Sequence, residues 1–416
     1  MRARLKICKT SEQPVCHPAP TQPSPSAMPI LELTLGASLL HPNVFGATWI
    51  VLVVLCCFLL KRSRGNYGAV WIWFAAFGPL LVLSAVSVIH FNLSIGRIEI
   101  LEIFIGGSLF AVGLKQFTPD TDRLLNAIAV ALILGFCLAS FEVAIDHQQR
   151  AGKLFNPINF GVSVGSLLLI LMLLREKWRP ICIIGAVLGA IALLLSGSRG
   201  PILFFLICAA LGEWMRRSSY QLPKEHNSLA PSILRWRHFA WSGFVLVFIF
   251  SGFLVFQQRA ELEAMGDQPA SHDVRMELIR LAATQISQTP WLGIGADQAG
   301  KFFGQFPMPI RDLNQAHNTV INLALELGVL GAAAWIWAFL VLIWFFIRQR
   351  RIGPARPWQA GVTLTLFIFF CSMTQDMLGH SYNRKFIALS IMLIVLMCNP
   401  NRYSTSQWQN HKSAPS

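Results

Sequence analysis

The chain alternates long apolar runs with short polar stretches, and this alternation limits its possible folds more than any other feature. Eleven runs approach the roughly 20 residues that an α-helix needs to cross a bilayer, and a shorter run at 29–41 would be a twelfth. A segment inside lipid must satisfy its own backbone hydrogen bonds, as an α-helix does. With 54% hydrophobic and 13% charged residues, the composition is that of a polytopic membrane protein. The sequence therefore predicts an all-α membrane protein of 11 or 12 transmembrane helices. The eleven runs lie at about 44–60, 68–89, 97–114, 124–145, 158–174, 181–197, 201–214, 239–256, 319–347, 359–378 and 384–398.

The distribution of basic residues predicts which polar stretches face the cytoplasm. Lys and Arg are enriched in cytoplasmic loops of membrane proteins. When Lys61–Arg64 is placed inside, the loops on that side carry 19 Lys and Arg, and the opposite side carries 11. A cytoplasmic basic N-terminus then requires twelve helices. The predicted regions are a disordered cytoplasmic tail at 1–28, a first part of the helix bundle at 29–256, an outer loop at 257–318, a last part of the bundle at 319–398 and a cytoplasmic tail at 399–416.

The outer loop at 257–318 is by far the longest polar stretch between apolar runs. We expect it to be partly helical and to cover a crevice between helices. The segment 271–283 has capping residues at its start and apolar residues that suit an interfacial helix. The basic residues of the loop are Arg259, His272, Arg275, Arg280, Lys301, Arg311 and His317.

Two arginines on the predicted outer face are candidates for binding an anion. Arg199 stands in Ser198-Arg199-Gly200, between two apolar runs with almost no loop. A guanidinium and free backbone N–H groups at a helix terminus would suit a phosphate. Arg275 falls in the first turn of the predicted loop helix. The alternatives are an Arg199 that reaches to the membrane interface and an Arg275 on a solvated basic face.

His317 immediately precedes an apolar run and shares the outer face with these arginines. A histidine near cations is biased toward its neutral form, which suits a general base. A structural role is the alternative, since a single histidine at a membrane surface is more often structural. Glu326, inside the apolar run, is expected to pair with a polar group of the bundle.

Several classes of function fit the sequence poorly. Basic residues fall in short clusters between apolar runs, which argues against nucleic-acid binding. We find no metal-ligand motif and no glycine-rich phosphate loop. Cations and one histidine without a carboxylate pair fit pyrophosphate binding and deprotonation of a hydroxyl better than glycoside hydrolysis by two acids.

Four motifs, in order, resemble the O-antigen ligase/polymerase family of bacterial membrane glycosyltransferases. These motifs cover about 150–331, and the number of predicted helices extends the likeness to most of the chain. Ile158 is an extra residue in the Asn-Pro-Asn part of the first motif. The motifs are Gly152–Gly161, Ser198-Arg199-Gly200, an Arg-headed helix followed by Pro290–Gly295, and His317-Asn318 with Glu326–Gly331.

The resemblance implies a ligase that moves O-antigen polysaccharide from an undecaprenyl-pyrophosphate carrier to the lipid A–core acceptor. The reaction would take place at the periplasmic face of the inner membrane, without metal or nucleotide cofactor. We expect Arg199 and Arg275 to hold the pyrophosphate and His317 to act as base. Asn318 and Arg280 would bind and position the substrate. Membrane lipids are the other expected partners.

Three alternatives remain open at this stage, besides a purely structural membrane scaffold, to which the cationic cluster gives little support. A polymerase of the same family would repeat an Arg-x10-Gly pattern, of which we find one convincing copy, Arg150 to Gly161. A protein O-oligosaccharyltransferase of the family is the second. An anion transporter is the third, although its charges would lie near the bilayer midplane in repeated, broken helices rather than at one face.

Overall fold

The computed structural model describes residues 27–60, 68–94, 99–113, 121–144, 156–175, 178–219, 271–306, 315–350 and 355–398. These residues form helices joined by turns, and none of them forms a strand. The predicted run at 239–256 and both predicted tails lie outside them, apart from residues 27 and 28 at the start of the first helix. The helices are α1 (Ala27–Ala37), α2 (Pro42–Leu60), α3 (Gly68–His90), α4 (Ile100–Gly113), α5 (Thr121–Ala144), α6 (Pro157–Leu174), α7 (Pro180–Leu195), α8 (Arg199–Ser219), α9 (Ser271–Gln288), α10 (Ala299–Phe303), α11 (Thr319–Gln349), α12 (Ala355–Ser372) and α13 (Ser381–Met397).

The lengths and apolar composition of the helices confirm the prediction of an all-α polytopic membrane protein. Within the described ranges, four helices are long and apolar enough to cross a membrane, and they lie in α3, α5, α6 and α11. Shorter apolar helices lie in α2, α7 and α12. The count of 11 or 12 transmembrane helices stays a prediction.

Several helix boundaries differ from the predicted ones, and the differences in two of the predicted runs affect the candidate residues. The run at 359–378 was expected to be one helix, but α12 ends at Ser372 and residues 373–380 form a loop. The carbonyl of Met373 accepts a hydrogen bond from the Asn318 side chain instead of from a further helical turn. The run at 201–214 extends to Arg199–Ser219, so Arg199 is the first residue of a helix.

Hydrogen bonds and ion pairs gather the ends of several helices at one end of the bundle. Asn383 Nδ2 donates to Asn159 Oδ1 at 3.1 Å, which joins the first turns of α13 and α6. Arg384 pairs with Glu99 at 3.1 Å and with Glu102 at 2.9 Å, which joins α13 to the start of α4. We call this the site end, because the candidate residues described below also lie there.

At the opposite end of the bundle, a hydrogen bond also joins the ends of two helices. The Gln359 side chain donates to the Met215 carbonyl at 3.0 Å, linking the start of α12 to the end of α8. The start of α12 and the end of α8 therefore lie together, at the end of the bundle away from the site end.

The longest helix, α11, is interrupted at Gly328, which has φ 74° and ψ −177°. Its 31 residues would span about 46 Å at 1.5 Å per residue, well beyond a hydrocarbon core of about 30 Å. The part that follows Gly328 is long enough to cross that core by itself. The first part, from Thr319, can therefore belong to the site end rather than to the lipid-facing bundle.

The interruption accommodates the turn at Pro290–Gly295. Ile294 N and Gly295 N donate to the carbonyls of Leu325 and Glu326 at 2.9 and 3.0 Å. Val329 N donates back to the Pro290 carbonyl at 2.8 Å. The turn therefore takes up backbone groups that a continuous helix would pair internally.

We expect Gly328→Ala to lower the free energy of unfolding by about 3 kcal/mol or more. A Cβ at Gly328 would lie 2.2 Å from the carbonyl oxygen of Trp291, and the positive φ is unfavourable for alanine. Thermal unfolding in detergent measures the effect. Gly78→Ala is the matched control, since a Cβ there meets nothing within 4 Å, and it should melt at or above the wild-type temperature. A wild-type melting temperature for Gly328→Ala would contradict this account.

The first part of α11 also contributes to a hydrophobic core that is smaller than, and separate from, the main core between the bundle helices. On α9, apolar residues recur every four positions and so share one helix face. This face packs against α10 and the start of α11, which fixes α9 over the site end. The buried residues of this core are Val274, Leu278, Ala282, Ala299, Phe303, Ala316 and Leu325.

Candidate active site

His317 lies at the site end, in the turn before α11. Its Nδ1 lies 3.4 Å from Oε1 of Gln375 in the α12–α13 loop. Burial lowers the pKa of His317 below the ordinary imidazole value, and the Arg275 charge lowers it further. The hydrogen bond with Gln375 and the Asp376 charge oppose these effects, whereas His380 adds to them. The imidazole is therefore biased toward its neutral form and can accept a proton.

The backbone of His317 adopts an unusual conformation, with φ 51°. Residues other than glycine rarely occupy this left-handed region, which costs about 1–2 kcal/mol. Such conformations persist where the surrounding structure imposes them, and they cluster at functional sites. The following residue contributes to that constraint, because the Asn318 side chain accepts a hydrogen bond from Ile321 N at 3.1 Å and caps α11.

The α12–α13 loop, residues 373–380, holds this turn from the other side. Asn318 Nδ2 donates to the Met373 carbonyl at 3.0 Å, and the Thr319 hydroxyl donates to the Gln375 carbonyl at 3.0 Å. The amide nitrogen and the amide oxygen of Asn318 are thus both hydrogen bonded to backbone groups of the protein. Its predicted contact with substrate stays a prediction.

Asp376 strengthens the same junction. Its Oδ2 accepts from Asn322 Nδ2 at 2.7 Å, and its Oδ1 accepts from Leu378 N at 3.0 Å. Asn322 Oδ1 in turn accepts from Ala316 N at 3.0 Å. Asp376 is only 6% exposed; its Oδ2 holds the loop against α11, and its Oδ1 fixes the turn of the loop itself.

Arg275 is half-buried at the edge of the apolar face of α9. Burial lowers the pKa of its guanidinium from the ordinary value, although an arginine keeps its charge in proteins. None of the described residues forms an ion pair with it. A partly desolvated cation without a described carboxylate partner, close enough to His317 to lower its pKa, suits an anionic ligand.

Arg199 begins α8, after a tight turn in which Gly197 has φ 58°. The next residue, Gly200, approaches the α12–α13 loop closely, since a Cβ there would lie 2.8 Å from the Thr374 hydroxyl. His317 contacts Gln375, the neighbour of Thr374. Gly200, which follows Arg199 in the chain, and His317 therefore adjoin consecutive residues of one loop at one end of the bundle.

Arg280 differs from the other predicted site residues in its surroundings. It pairs with Glu277, one turn earlier on α9, at 2.7 Å, and its side chain is 71% exposed. The pair lies on the solvated side of α9, away from the packed core. A contact between Arg280 and substrate stays a prediction.

Glu326 pairs with a polar group, but this group belongs to the predicted outer loop at 257–318 rather than to the bundle as expected. Its Oε1 accepts from Ala299 N at 3.0 Å and so satisfies a backbone donor at the start of α10. It also borders a cavity of about 20 Å³, which has room for a single water. Leu80, Ser84, Glu99, Ile100, Ala296, Asp297, Leu323, Leu327 and Leu378 line the rest of it.

Thr374 and Gln375 lie beside the candidate residues but are not among the residues predicted for the site. Both fall inside the run at 359–378 that was expected to be a transmembrane helix. The signal that could have identified them is the polar triplet Thr374-Gln375-Asp376 near the end of an otherwise apolar segment. Three adjacent polar residues are costly in lipid and indicate a loop or a site.

A comparison with protein-family models places part of this site in a known family domain. Residues 184–336 match the family model described as O-antigen ligase, which covers less than half of the chain and includes Arg199, Arg275 and His317. A search of curated proteins finds no match. Over residues 184–336 the chain is therefore similar to an O-antigen ligase family, and its all-α membrane architecture is consistent with that likeness.

Proposed function

We propose that this chain is an O-antigen ligase, which transfers polysaccharide from an undecaprenyl-pyrophosphate donor to a hydroxyl of the lipid A–core acceptor. The observation that carries the proposal is the placement of His317 against Gln375 at one end of a membrane helix bundle, with the Arg275 cation close enough to lower its pKa. A base beside a cation matches the two needs of the reaction. One is removal of a hydroxyl proton, and the other is stabilisation of a departing diphosphate.

In the proposed reaction, the neutral imidazole of His317 accepts the proton of the acceptor hydroxyl. The hydroxyl oxygen forms a bond to the anomeric carbon from the face opposite the diphosphate. The bond between that carbon and the phosphate oxygen breaks, and its electron pair leaves with the diphosphate. A single displacement of this kind inverts the anomeric configuration, and the imidazolium then releases its proton to water.

Arg199 and Arg275 are assigned to the diphosphate. Charge grows on the leaving oxygen in the transition state, and cations held in place beforehand stabilise it without further reorganisation. Guanidinium groups suit this task because their planar N–H donors match two phosphate oxygens at once. The site end would face the periplasm of a bacterial inner membrane, in accord with the smaller number of basic residues in the loops on that side.

The identity of the acceptor tests this function against its alternatives. Purified protein in lipid vesicles is supplied with a lipid-linked glycan donor and, separately, with lipid A–core, with a second donor molecule or with a pilin-like protein. We expect product only with lipid A–core. Extension of the glycan on the second donor would support a polymerase, and a glycosylated protein would support a protein-glycosylating enzyme. Uptake of anions into the vesicles without glycan transfer would support a transporter. Each of these results would contradict the proposal.

The pH dependence of transfer follows from the surroundings of His317. Since burial and the Arg275 charge both lower its pKa, kcat/KM should fall on acidification with a midpoint below the ordinary histidine value of 6.5. The rate falls rather than rises on acidification because a protonated imidazole cannot accept a proton. Above the midpoint the rate should stay level through neutral pH. In Arg275→Ala, loss of the neighbouring charge should raise the midpoint, and a wild-type midpoint above 6.5 would contradict the assignment.

A further inference from the structure

The α12–α13 loop contributes one polar side chain that the proposed reaction does not yet use. Gln375 is 1% exposed, and its Oε1 faces Nδ1 of His317 at 3.4 Å. An amide oxygen only accepts hydrogen bonds, so Nδ1 must carry the proton in this contact. A neutral imidazole has one N–H, and Nε2 then carries the lone pair.

We infer that Gln375 is a positioning residue for His317, whose side-chain carbonyl holds the ring with the proton on Nδ1 and leaves Nε2 as the atom that accepts the substrate proton. The inference rests on the proposed function for the role of Nε2. The contact itself and the tautomer that it selects are properties of the protein without substrate.

The backbone around Gln375 is fixed well enough for this task. Its carbonyl accepts the Thr319 hydroxyl at 3.0 Å, and that hydroxyl accepts from Met377 N at 2.8 Å. The next residue, Asp376, is held through both carboxylate oxygens. The first turn of α11 and the loop that carries Gln375 therefore form one hydrogen-bonded unit.

A neutral amide at position 375 has a different effect from the acid that orients the histidine of many hydrolases. A carboxylate would stabilise the imidazolium and raise the proton affinity of the ring. The titratable groups that influence His317 are Arg275, Asp376 and His380. The Asp376 carboxylate is already hydrogen bonded to Asn322 and to Leu378 N. Gln375 thus orients the ring while adding no further charge.

The test uses full-length protein in detergent, with nitrogen-15 in its histidine rings and without substrate. The His317 signals are assigned by their loss in His317→Ala. We expect wild type to show the Nδ1–H tautomer at neutral pH and Gln375→Leu to shift toward Nε2–H. Gln375→Glu, which keeps the size of the side chain, should raise the titration midpoint of His317 by about one unit or more. Gln288→Leu, at the exposed end of α9, is the control and should leave both signals unchanged.

Kinetics provide the second readout. Gln375→Leu should lower kcat about 10-fold with little change in the KM for the donor, because the residue acts on the base and not on the pyrophosphate. Gln375→Glu tests the inference if the leucine variant fails to fold. An unchanged His317 spectrum in folded Gln375→Leu, or an unchanged titration midpoint in Gln375→Glu, would overturn the inference. A shifted spectrum together with wild-type turnover in His317→Ala would instead overturn the proposed function and leave the contact standing.

Discussion

His317→Ala is expected to lower the rate of polysaccharide transfer by about 10²–10⁴-fold, the usual contribution of a positioned general base. The physical reason is that no other described imidazole or carboxylate combines burial, a shift toward the neutral form and proximity to Arg275. The measurement is the initial rate of transfer from a lipid-linked donor to lipid A–core by purified protein. Binding of the donor should change little, so the loss should fall on kcat.

Two further variants separate loss of the base from loss of the fold. His317→Gly should be at least as stable as wild type, since glycine relieves a left-handed backbone worth about 1–2 kcal/mol, and it should be as inactive as His317→Ala. His90→Ala removes an exposed histidine at the end of α3 and should keep wild-type activity. Wild-type turnover in folded His317→Ala would remove this residue from the mechanism.

Arg275→Ala is expected to lower kcat by about 10²–10³-fold, as removal of one preorganised group at a developing negative charge does in other enzymes. Arg275 is half-buried, and its ordinary solvation is already reduced before substrate arrives. Charge placed near it is therefore stabilised more strongly than near an exposed cation. The same transfer assay measures the effect, together with the affinity for undecaprenyl diphosphate.

Arg275→Lys distinguishes a guanidinium fork from a simple charge. It keeps the cation but loses the two-pronged geometry, so we expect activity between those of Arg275→Ala and wild type. Lys301→Ala removes an exposed cation of α10 and serves as the control for net charge. Equal losses in Lys301→Ala and Arg275→Ala would indicate a general electrostatic effect and contradict a specific diphosphate contact.

The fold class followed from the sequence because the length of an apolar run and the need to satisfy backbone groups in lipid are local properties. The positions of Arg199, Arg275 and His317 at one end of the bundle also followed, because alternation of helix direction assigns every loop to one of two ends. These inferences need only the order of the runs and the positions of the charged residues between them.

The details of the site depend on contacts between segments that are distant in the chain. The order of the apolar runs and the positions of the charged residues do not predict such contacts. The interruption at Gly328 exists because Pro290–Gly295 takes over backbone hydrogen bonds of α11. The early end of α12 depends on Asn318 and Thr319, which bond to carbonyls more than 50 residues away in the chain. The role of Gln375 follows only from the position of that loop beside His317.

Arg280 is a predicted site residue whose surroundings also depend on packing between distant segments. The sequence shows Arg280 as a second arginine on the helix that carries Arg275. It does not show which of the two is partly buried and which is exposed to solvent. Packing separates them, because the buried face of α9 leaves Arg275 half-buried and directs Arg280 to solvent beside Glu277. A pattern of charges along one helix therefore predicts a basic element but not which cation meets a ligand.

The central claim is that two guanidinium groups and one imidazole converge on a lipid-linked diphosphate at one end of the bundle. A structure of the full chain in lipid nanodiscs with undecaprenyl diphosphate bound tests it most directly. We predict phosphate oxygens within about 3 Å of guanidinium nitrogens of both Arg199 and Arg275, with Nε2 of His317 facing the space beside the diphosphate. A diphosphate bound away from these arginines, or a His317 ring turned toward another surface, would contradict the account.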